Sequence, residues 1–149
     1  MDLYRTPGHL IRRCQQIAVA IFMEETADSN ITPPQFAALA ALADHPGIDP
    51  RSLADAIAFD RSTIGDLVAR LESRGLVTRT VGDDRRTKRL AITPAGTDLL
   101  HALESAVLRT QERILEPLPP DQRETFIAML ADVVHLHNET SRAPLRHIA

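Results

Sequence analysis

The stretch that most constrains the fold is DPRSLADAIAFDRSTIGDLVARLESRGL, because it holds two helical patterns joined by a very short corner. Asp49 is a capping residue and Pro50 follows it at the first helical position, so a short helix begins there. Residues 58–60 leave room only for a tight turn, and Asp60 is placed to cap a second helix that ends at Gly75. This spacing predicts a helix-turn-helix.

The second helix has one apolar and one polar side. Apolar residues recur at helical spacing and predict the buried side: Ile64, Leu67, Val68 and Leu71. The polar side carries short polar side chains and arginines: Arg61, Ser62, Thr63, Asp66, Arg70 and Ser73. Short side chains allow a helix to enter a DNA major groove. Taken alone, however, the segment favours an ordinary helical hairpin with a solvated face.

The residues after this helix predict a β-hairpin. LVTRTV (residues 76–81) and KRLAIT (residues 88–93) are short β-prone runs, and Gly82 begins the turn between them. Four cations lie within five positions at its tip: Arg85, Arg86, Lys88 and Arg89. A hairpin directly after a recognition helix makes a winged helix, whose cations can reach phosphates or a narrow minor groove. Charges that only protect a sheet edge explain one or two cations, but not four.

Positive charge is concentrated in the middle of the chain, although the net charge of the 149 residues is -3. Residues 51–89 hold nine basic and six acidic side chains, whereas the remainder holds eight basic and 14 acidic ones. A basic region between acidic flanks is typical of a protein that directs one face at a polyanion. The pattern favours a DNA-binding surface that also includes Arg61 and Lys88.

Further helices are predicted on both sides of this region. Thr32 caps TPPQFAALAALADHPG, in which Gln35 completes a capping box and residues 45–47 end the helix. The predicted apolar stripe of this helix is Phe36, Leu39, Ala40 and Ala43. A first helix spans about residues 8–26, and its two neighbouring apolar stripes predict burial from two sides.

The two helices predicted after the hairpin carry more apolar surface than a small winged domain can cover. One runs from Pro94 to about Glu116, and the last holds a further apolar set: Phe126, Ile127, Leu130, Val133 and Val134. Two-fold pairing of identical chains is the commonest way to cover such a surface. A homodimer implies a pseudo-palindromic operator with half-sites about 10 base pairs apart. The alternative is a monomer whose long helices fold back over its own core.

The expected fold class is therefore mainly α with a small β-hairpin wing. We predict a single domain over residues 1–149, with a winged helix-turn-helix lobe at residues 32–93. Residues 1–31 and 94–149 are predicted to form a helical dimerisation region.

Other classes of function find little support. The sequence has no Gly-rich phosphate loop and no motif of a serine hydrolase or a zinc protease, so we expect neither an enzyme nor a cofactor. His135 and His137 lie two positions apart, roughly 200° around a helix, and cannot hold one metal ion from that helix alone. The apolar run IAVAIFM is too short to span a bilayer, and the single cysteine, Cys14, cannot form an internal disulfide. We expect a cytoplasmic protein without a membrane contact.

Four segments resemble the MarR family of bacterial transcription regulators in order and spacing: TPPQFAALAAL, LADAIAFDRSTIGDLVARLESRGLVTR, DDRRTKRLAIT and TPAGTDLL. The resemblance covers about residues 8–116. It implies a homodimeric winged-helix DNA binder, usually a repressor that a small molecule releases. The residues it places at the major groove are Ser62, Thr63, Asp66 and Arg70, and those at the minor groove are Arg85 and Arg86. It also implies that Asp84 holds the wing through its arginines.

Two hypotheses concern the signal that releases the DNA. In the first, His9, Arg12 and Arg13 line a pocket between the first helix and the DNA-binding lobe, where they bind a carboxylate. His9 and Arg13 are four residues apart and therefore share a helix face. PGHLIRRCQQIAVAIF also resembles the first helix of family members that respond to small aromatic acids. The alternative is that these three residues are solvated or interfacial charges.

In the second hypothesis, Cys14 senses organic peroxides, because one branch of the family carries a reactive cysteine in its first helix. Arg13 would stabilise the thiolate. That branch surrounds its cysteine with tyrosines, whereas this chain has only Tyr4. A small buried side chain in a helix stripe is therefore the favoured role for Cys14. A third alternative makes the winged helix a protein-interaction module with no operator.

Overall fold

The computed structural model describes residues 2–82 and 86–148. Four helices come first: α1 (Pro7–Glu25), α2 (Pro33–Asp44), α3 (Pro50–Ala56) and α4 (Ile64–Ser73). They are followed by β1 (Val77–Val81), β2 (Lys88–Ile92), α5 (Pro94–Leu115) and α6 (Pro120–Leu136). Short 3-10 turns lie at Leu3–Arg5, Ala27–Ser29 and Asn138–Thr140. The predicted fold class is confirmed: the chain is mainly helical, with a two-stranded antiparallel hairpin after a helix-turn-helix.

Caps and prolines set most of the helix boundaries. Proline stands in the first turn of α1, α2, α3, α5 and α6, where its fixed φ fits and its missing N–H costs nothing. The side chains of Thr32, Asp49 and Thr93 each accept a hydrogen bond from the N–H three residues later. In return, the Thr32 N–H donates to Oε1 of Gln35 at 3.0 Å, which completes the predicted capping box.

The helix after the tight corner begins later than predicted. The sequence places its cap at Asp60, whereas α4 begins at Ile64. The Asp60 carbonyl accepts a hydrogen bond from the Ile64 N–H at 3.1 Å, so residues 61–63 form a turn that leads into the helix. The corner itself is tight enough to hold Ala58 at a φ of 50°, in the left-handed region.

α2, α3, α4 and the hairpin, which we call the winged lobe, surround one apolar core. The fully buried leucines and valines of this lobe are Leu39, Leu42, Leu53, Val68, Leu71, Val77 and Leu90. β1 and β2 pair from Val77 opposite Ile92 to Val81 opposite Lys88. Leu90 also bridges to Ile48, which attaches the hairpin to the loop before α3.

The structure confirms the predicted buried side of α4 but only part of the predicted buried side of α2. On α4 the prediction is confirmed, because the four apolar positions are all buried: Ile64, Leu67, Val68 and Leu71. On α2 the prediction is partly wrong, since Ala38 and Leu42 are buried beside Leu39 while Ala43 is exposed. The stripe shifts because α2 packs against both α5 and β2.

α1, α5 and α6, which we call the long helices, are covered far less. α1 packs on α5, and ion pairs join Arg109 to Glu25 at 2.8 Å and Arg113 to Glu25 at 2.8 Å. Phe22 is the buried residue of α1, whereas Leu10 and Ile17 are about half exposed. The expectation that α1 is buried from two sides is therefore wrong for a single chain.

α5 starts against the base of the hairpin without an intervening loop. Thr93 ends the hairpin, donates from its N–H to the Leu76 carbonyl at 3.0 Å and caps α5. Gly96 lies in the first turn of the helix, where a Cβ would collide with the Leu76 carbonyl oxygen and lie 2.6 Å from Cγ1 of Ile92. Only glycine permits this close approach.

Candidate nucleic-acid interface

The turn before α4 is held by Asp60. Its Oδ1 accepts hydrogen bonds from the Ser62 N–H at 2.9 Å and from the Ser62 hydroxyl at 2.8 Å, and its carbonyl accepts from the Thr63 hydroxyl at 3.2 Å. The backbone N–H of Ser62 and the guanidinium of Arg142 lower the pKa of Asp60 to about 2. Two of the predicted major-groove residues are thus held by Asp60, Ser62 through the carboxylate and Thr63 through the backbone carbonyl.

Arg61 lies in the same turn and binds back to α3. Its Nε and Nη2 donate to the two carboxylate oxygens of Asp55, at 2.8 and 2.7 Å. This bidentate pair lowers the pKa of Asp55 and raises the pKa of Arg61. Arg61 therefore joins α3 to the turn, and a DNA contact by Arg61 stays a prediction.

The exposed side of α4 presents Thr63, Asp66 and Arg70. These residues recur at i, i+3 and i+7 and therefore share one face of the helix. With Phe59 and the start of α2 they line a shallow groove of about 300 Å³. The structure thus brings the predicted major-groove residues of α4 to a single face that is open to solvent.

The tip of the hairpin is described only in part. Asp84 and Arg85 lie outside the described residues, so their roles stay predictions. Arg86 and Lys88 are exposed, the latter at the first position of β2. Both stand at the end of the hairpin that is remote from α5, where a nucleic acid can reach them.

Two arginines of the lobe make long-range contacts that the sequence did not predict. Arg89, the fourth cation of the cluster, donates from Nη1 to the Gly47 carbonyl at 3.2 Å. Arg74, just after α4, donates to the carbonyls of Asn30 at 2.9 Å and Ser29 at 2.7 Å. These partners lie 42 to 45 residues away along the chain, so no local spacing could reveal them.

The residues predicted to bind an effector lie near the start of α1. The ring of His9 packs edge-on against Tyr4, with centroids 5.5 Å apart, and Arg12 donates a hydrogen bond along the helix at 3.2 Å. Arg13 is exposed. A cavity of about 320 Å³ between α1 and α5 adjoins Glu25 at the other end of α1, about 24 Å from His9. Within one chain, the three predicted residues are not brought to that cavity.

Cys14 is exposed, so the expectation of a buried side chain is wrong for a single chain. The reason is that α5 and α2 pack around the end of α1 that carries Phe22. A peroxide-sensing role for Cys14 stays a prediction.

Among the described residues, no group of three or more His, Cys, Asp or Glu side chains is arranged to hold a metal ion. The same residues include no helix long and apolar enough to cross a membrane.

Comparisons with known proteins agree with this geometry. Residues 29–87 match the MarR family. The transcriptional repressor NicR of Pseudomonas putida is 31% identical over 134 residues, which cover 89% of this chain and 85% of NicR. The structure of BpsR from Bordetella bronchiseptica, whose DNA binding is regulated by 6-hydroxynicotinic acid, has a TM-score of 0.82 at 28% identity, covering 89% of this chain and 97% of that one. The repressor CouR, bound to a 23-mer DNA duplex, has a TM-score of 0.82 at 30% identity, covering 89% and 95%.

Proposed function

Because the chain belongs to the MarR family of DNA-binding transcription regulators, we propose that it is a homodimeric repressor that a small aromatic carboxylic acid releases from its operator. The observation that carries the proposal is the exposed face of α4, with Thr63, Asp66 and Arg70 side by side and the wing close behind. The controlled genes would then encode the degradation or export of the same acid.

In this proposal the two parts of the lobe play different roles on DNA. Residues of the α4 face and its turn, Ser62 to Arg70, contact base edges in the major groove, and therefore determine sequence preference. Arg85, Arg86 and Lys88 contact phosphates or the minor groove, and therefore add affinity for any sequence. Asp84 would hold the wing arginines in place.

The experiment separates these roles by their salt dependence. Replacing Arg85 and Arg86 together with alanine should weaken binding to every duplex and reduce the slope of log affinity against log salt by about 1 for each lost contact. Arg70→Ala should instead change the preference between a duplex from upstream of the gene and a scrambled one. Fluorescence anisotropy at several salt concentrations measures both. If the chain binds other proteins and shows no salt-dependent binding to any duplex, the interaction-module alternative is supported.

A second copy of the chain is the proposed cover for α6. This helix has no buried residue, and apart from the partly buried Phe126 its large apolar side chains are between 43% and 80% exposed: Ile127, Met129, Leu130, Val133, Val134 and Leu136. Monomeric proteins rarely expose so much contiguous apolar surface. Sedimentation should therefore give twice the 16.4 kDa of one chain.

The proposed effector class rests on a relative and on the charges of α1. BpsR responds to 6-hydroxynicotinic acid, which is a pyridine carboxylate. Arg12 and Arg13 offer guanidinium forks that can hold a carboxylate, and His9 adds a ring donor. A second chain would enclose the exposed start of α1 and complete the pocket.

A panel of acids tests this class. 6-Hydroxynicotinate and benzoate should raise the melting temperature and release labelled DNA, whereas cyclohexanecarboxylate, a non-aromatic acid of similar size, should do neither. Arg13→Ala should abolish the response, while Arg5→Ala, which removes a neighbouring charge, should keep it. An unchanged melting temperature across the panel would contradict the proposal. Release by an organic peroxide that is lost in Cys14→Ser would favour the peroxide-sensing alternative.

A further inference from the structure

The chain after α6 turns back onto the helix-turn-helix. We call residues 138–148 the return segment. Asn138 closes it into a loop, because its amide donates to the Leu145 carbonyl at 3.1 Å and its side-chain oxygen accepts from the Leu145 N–H at 2.9 Å. The Ser141 hydroxyl accepts from the Ala143 N–H at 3.1 Å within this loop. The segment thus has a defined path without a regular helix.

Three contacts attach the return segment to the winged lobe. The Arg146 N–H donates to the Asp55 carbonyl at 2.9 Å, and Ile148 packs against the core of the lobe. Arg142 donates from Nη2 to Oδ2 of Asp60. The last contact places a guanidinium on the carboxylate that organises the turn into α4.

The side chains at this contact form a cleft of about 180 Å³ that is rich in arginine. Arg61, Arg142 and Arg146 line it together with Asp55 and Asp60. Arg61 is engaged by Asp55 in a bidentate pair, and Arg146 is paired with Glu139 at 3.0 Å. The side chain of Arg142 is different, since it is 87% exposed even while it contacts Asp60. Its guanidinium, with five N–H donors, therefore faces solvent beside the turn.

If α4 docks in the major groove as proposed, Arg142 lies on the side where the DNA backbone passes. The proposed major-groove residues begin at Ser62, two positions after Asp60. A major groove is about 12 Å wide, so phosphates border the helix that occupies it. In a helix-turn-helix the first helix crosses the backbone, which here brings the corner between α3 and α4 next to a phosphate.

We propose that Arg142 contacts DNA: the return segment delivers its guanidinium to a backbone phosphate beside the groove that α4 occupies. This inference rests on the proposed docking of α4 in the major groove. A phosphodiester is a sequence-independent ligand, so Arg142 adds affinity for every duplex and no base preference. The wing and the return segment then contact the backbone at two separate places around α4.

The test uses a labelled duplex of random sequence, about 30 base pairs long, so that only sequence-independent contacts are measured. Arg142→Ala should lower the affinity about three- to tenfold and reduce the salt slope by about 1 for each subunit bound. Arg142→Lys keeps the charge and should bind within about twofold of the natural chain. Arg5→Ala, which removes a cation from the Leu3–Arg5 turn, should leave affinity and slope unchanged.

Asp60→Asn distinguishes a phosphate contact from a structural role. If Arg142 only holds Asp60 in place, Arg142→Ala and Asp60→Asn weaken binding alike and neither changes the salt slope, which would overturn the inference. Unchanged affinity and slope in Arg142→Ala overturn it too.

The Arg85 and Arg86 double variant is measured in the same assay. If it loses affinity while Arg142→Ala does not, the proposed interface stands and the Arg142 contact fails. If neither variant loses affinity, both fail.

Discussion

The winged lobe and the long helices place their large apolar side chains in opposite ways. In the lobe, leucines such as Leu39, Leu53 and Leu71 are fully buried. Among the described residues of the lobe, the one exposed large hydrophobic side chain is that of Val81. The long helices expose a much larger set: Leu10, Ile11, Ile17, Leu108, Ile127, Met129, Leu130, Val133, Val134 and Leu136. The core lies mainly in the lobe, with Phe22 of α1 and Leu103 of α5 completing it, whereas the long helices expose an apolar surface that we propose a second chain covers. The side chains that form the core and those that a single chain leaves exposed thus lie largely in different parts of the sequence.

The largest effect should come from a cavity in the closed core. Leu39→Ala removes a side chain that is fully buried, and we expect the free energy of unfolding to fall by about 2–5 kcal/mol. Leu136→Ala is the matched control, because this leucine of α6 is 80% exposed and its loss should cost less than about 0.5 kcal/mol in a single chain. Urea denaturation at low protein concentration measures both. Equal losses would remove the distinction between the two regions.

A charge on the open surface should separate the chains. Leu130→Asp places a carboxylate on the apolar side of α6, and we expect monomers whose operator affinity is about 100-fold lower, because two linked half-sites are no longer bound together. Gln122→Asp, at an exposed polar position of the same helix, is the control. Sedimentation and anisotropy measure mass and affinity. A Leu130→Asp chain that remains a dimer would show that α6 is not the interface.

The junction of the two regions should be intolerant of a single methyl group. Gly96→Ala forces a Cβ against Leu76 and Ile92, and we expect a loss of about 1–3 kcal/mol from overpacking. Gly65→Ala makes the same change in the first turn of α4, where nothing lies within 4 Å of the new Cβ, and should be neutral or stabilise by up to about 1 kcal/mol. Thermal unfolding compares the two. If Gly96→Ala is also neutral, the close contact is not rigid.

The smallest effect should be an acid sensitivity of the turn before α4. Asp60 has a pKa of about 2 in the folded chain, below its ordinary value of 3.8. A carboxyl whose pKa is lowered by folding contributes stability above about pH 4, and loses this contribution as the pH falls toward about 2. Asp60→Asn should therefore be less stable than the natural chain at pH 6, and the difference should shrink at pH 3. Paired denaturation curves measure it. A difference that grows in acid would contradict the lowered pKa.

Local rules predicted most of the lobe. The capping box of Thr32 and Gln35 and the buried side of α4 follow from short-range spacing, and the structure has both. The start of α4 did not follow, because the side chains of Ser62 and Thr63 hydrogen-bond to Asp60 and favour a turn over a first helical turn. The apolar stripe of α2 was predicted in the wrong place because the many alanines of this helix do not distinguish a buried face from an exposed one. The elements that pack on its two sides, α5 and β2, decide which residues are buried.

Contacts between distant segments were beyond prediction. Arg74 binds carbonyls 44 and 45 residues away, and Arg142 meets Asp60 across 82 residues. A single arginine in a sequence does not show whether its side chain binds a carbonyl, a carboxylate or a phosphate. Cys14 illustrates a second limit, since a helix stripe shows that a position prefers burial but not whether another element of the chain covers it.

α5 can act as a lever because it begins at the base of the wing. Thr93 ends the hairpin and caps α5, and Gly96 packs directly against Leu76 and Ile92, so the hairpin and the helix meet without a gap. The 22 residues of α5 extend about 33 Å, and a tilt of about 5° displaces one end relative to the other by about 3 Å. That displacement is close to the rise of one base pair, about 3.4 Å. In the proposed dimer, a small shift among the long helices would therefore be enough to move the wings out of register with two half-sites.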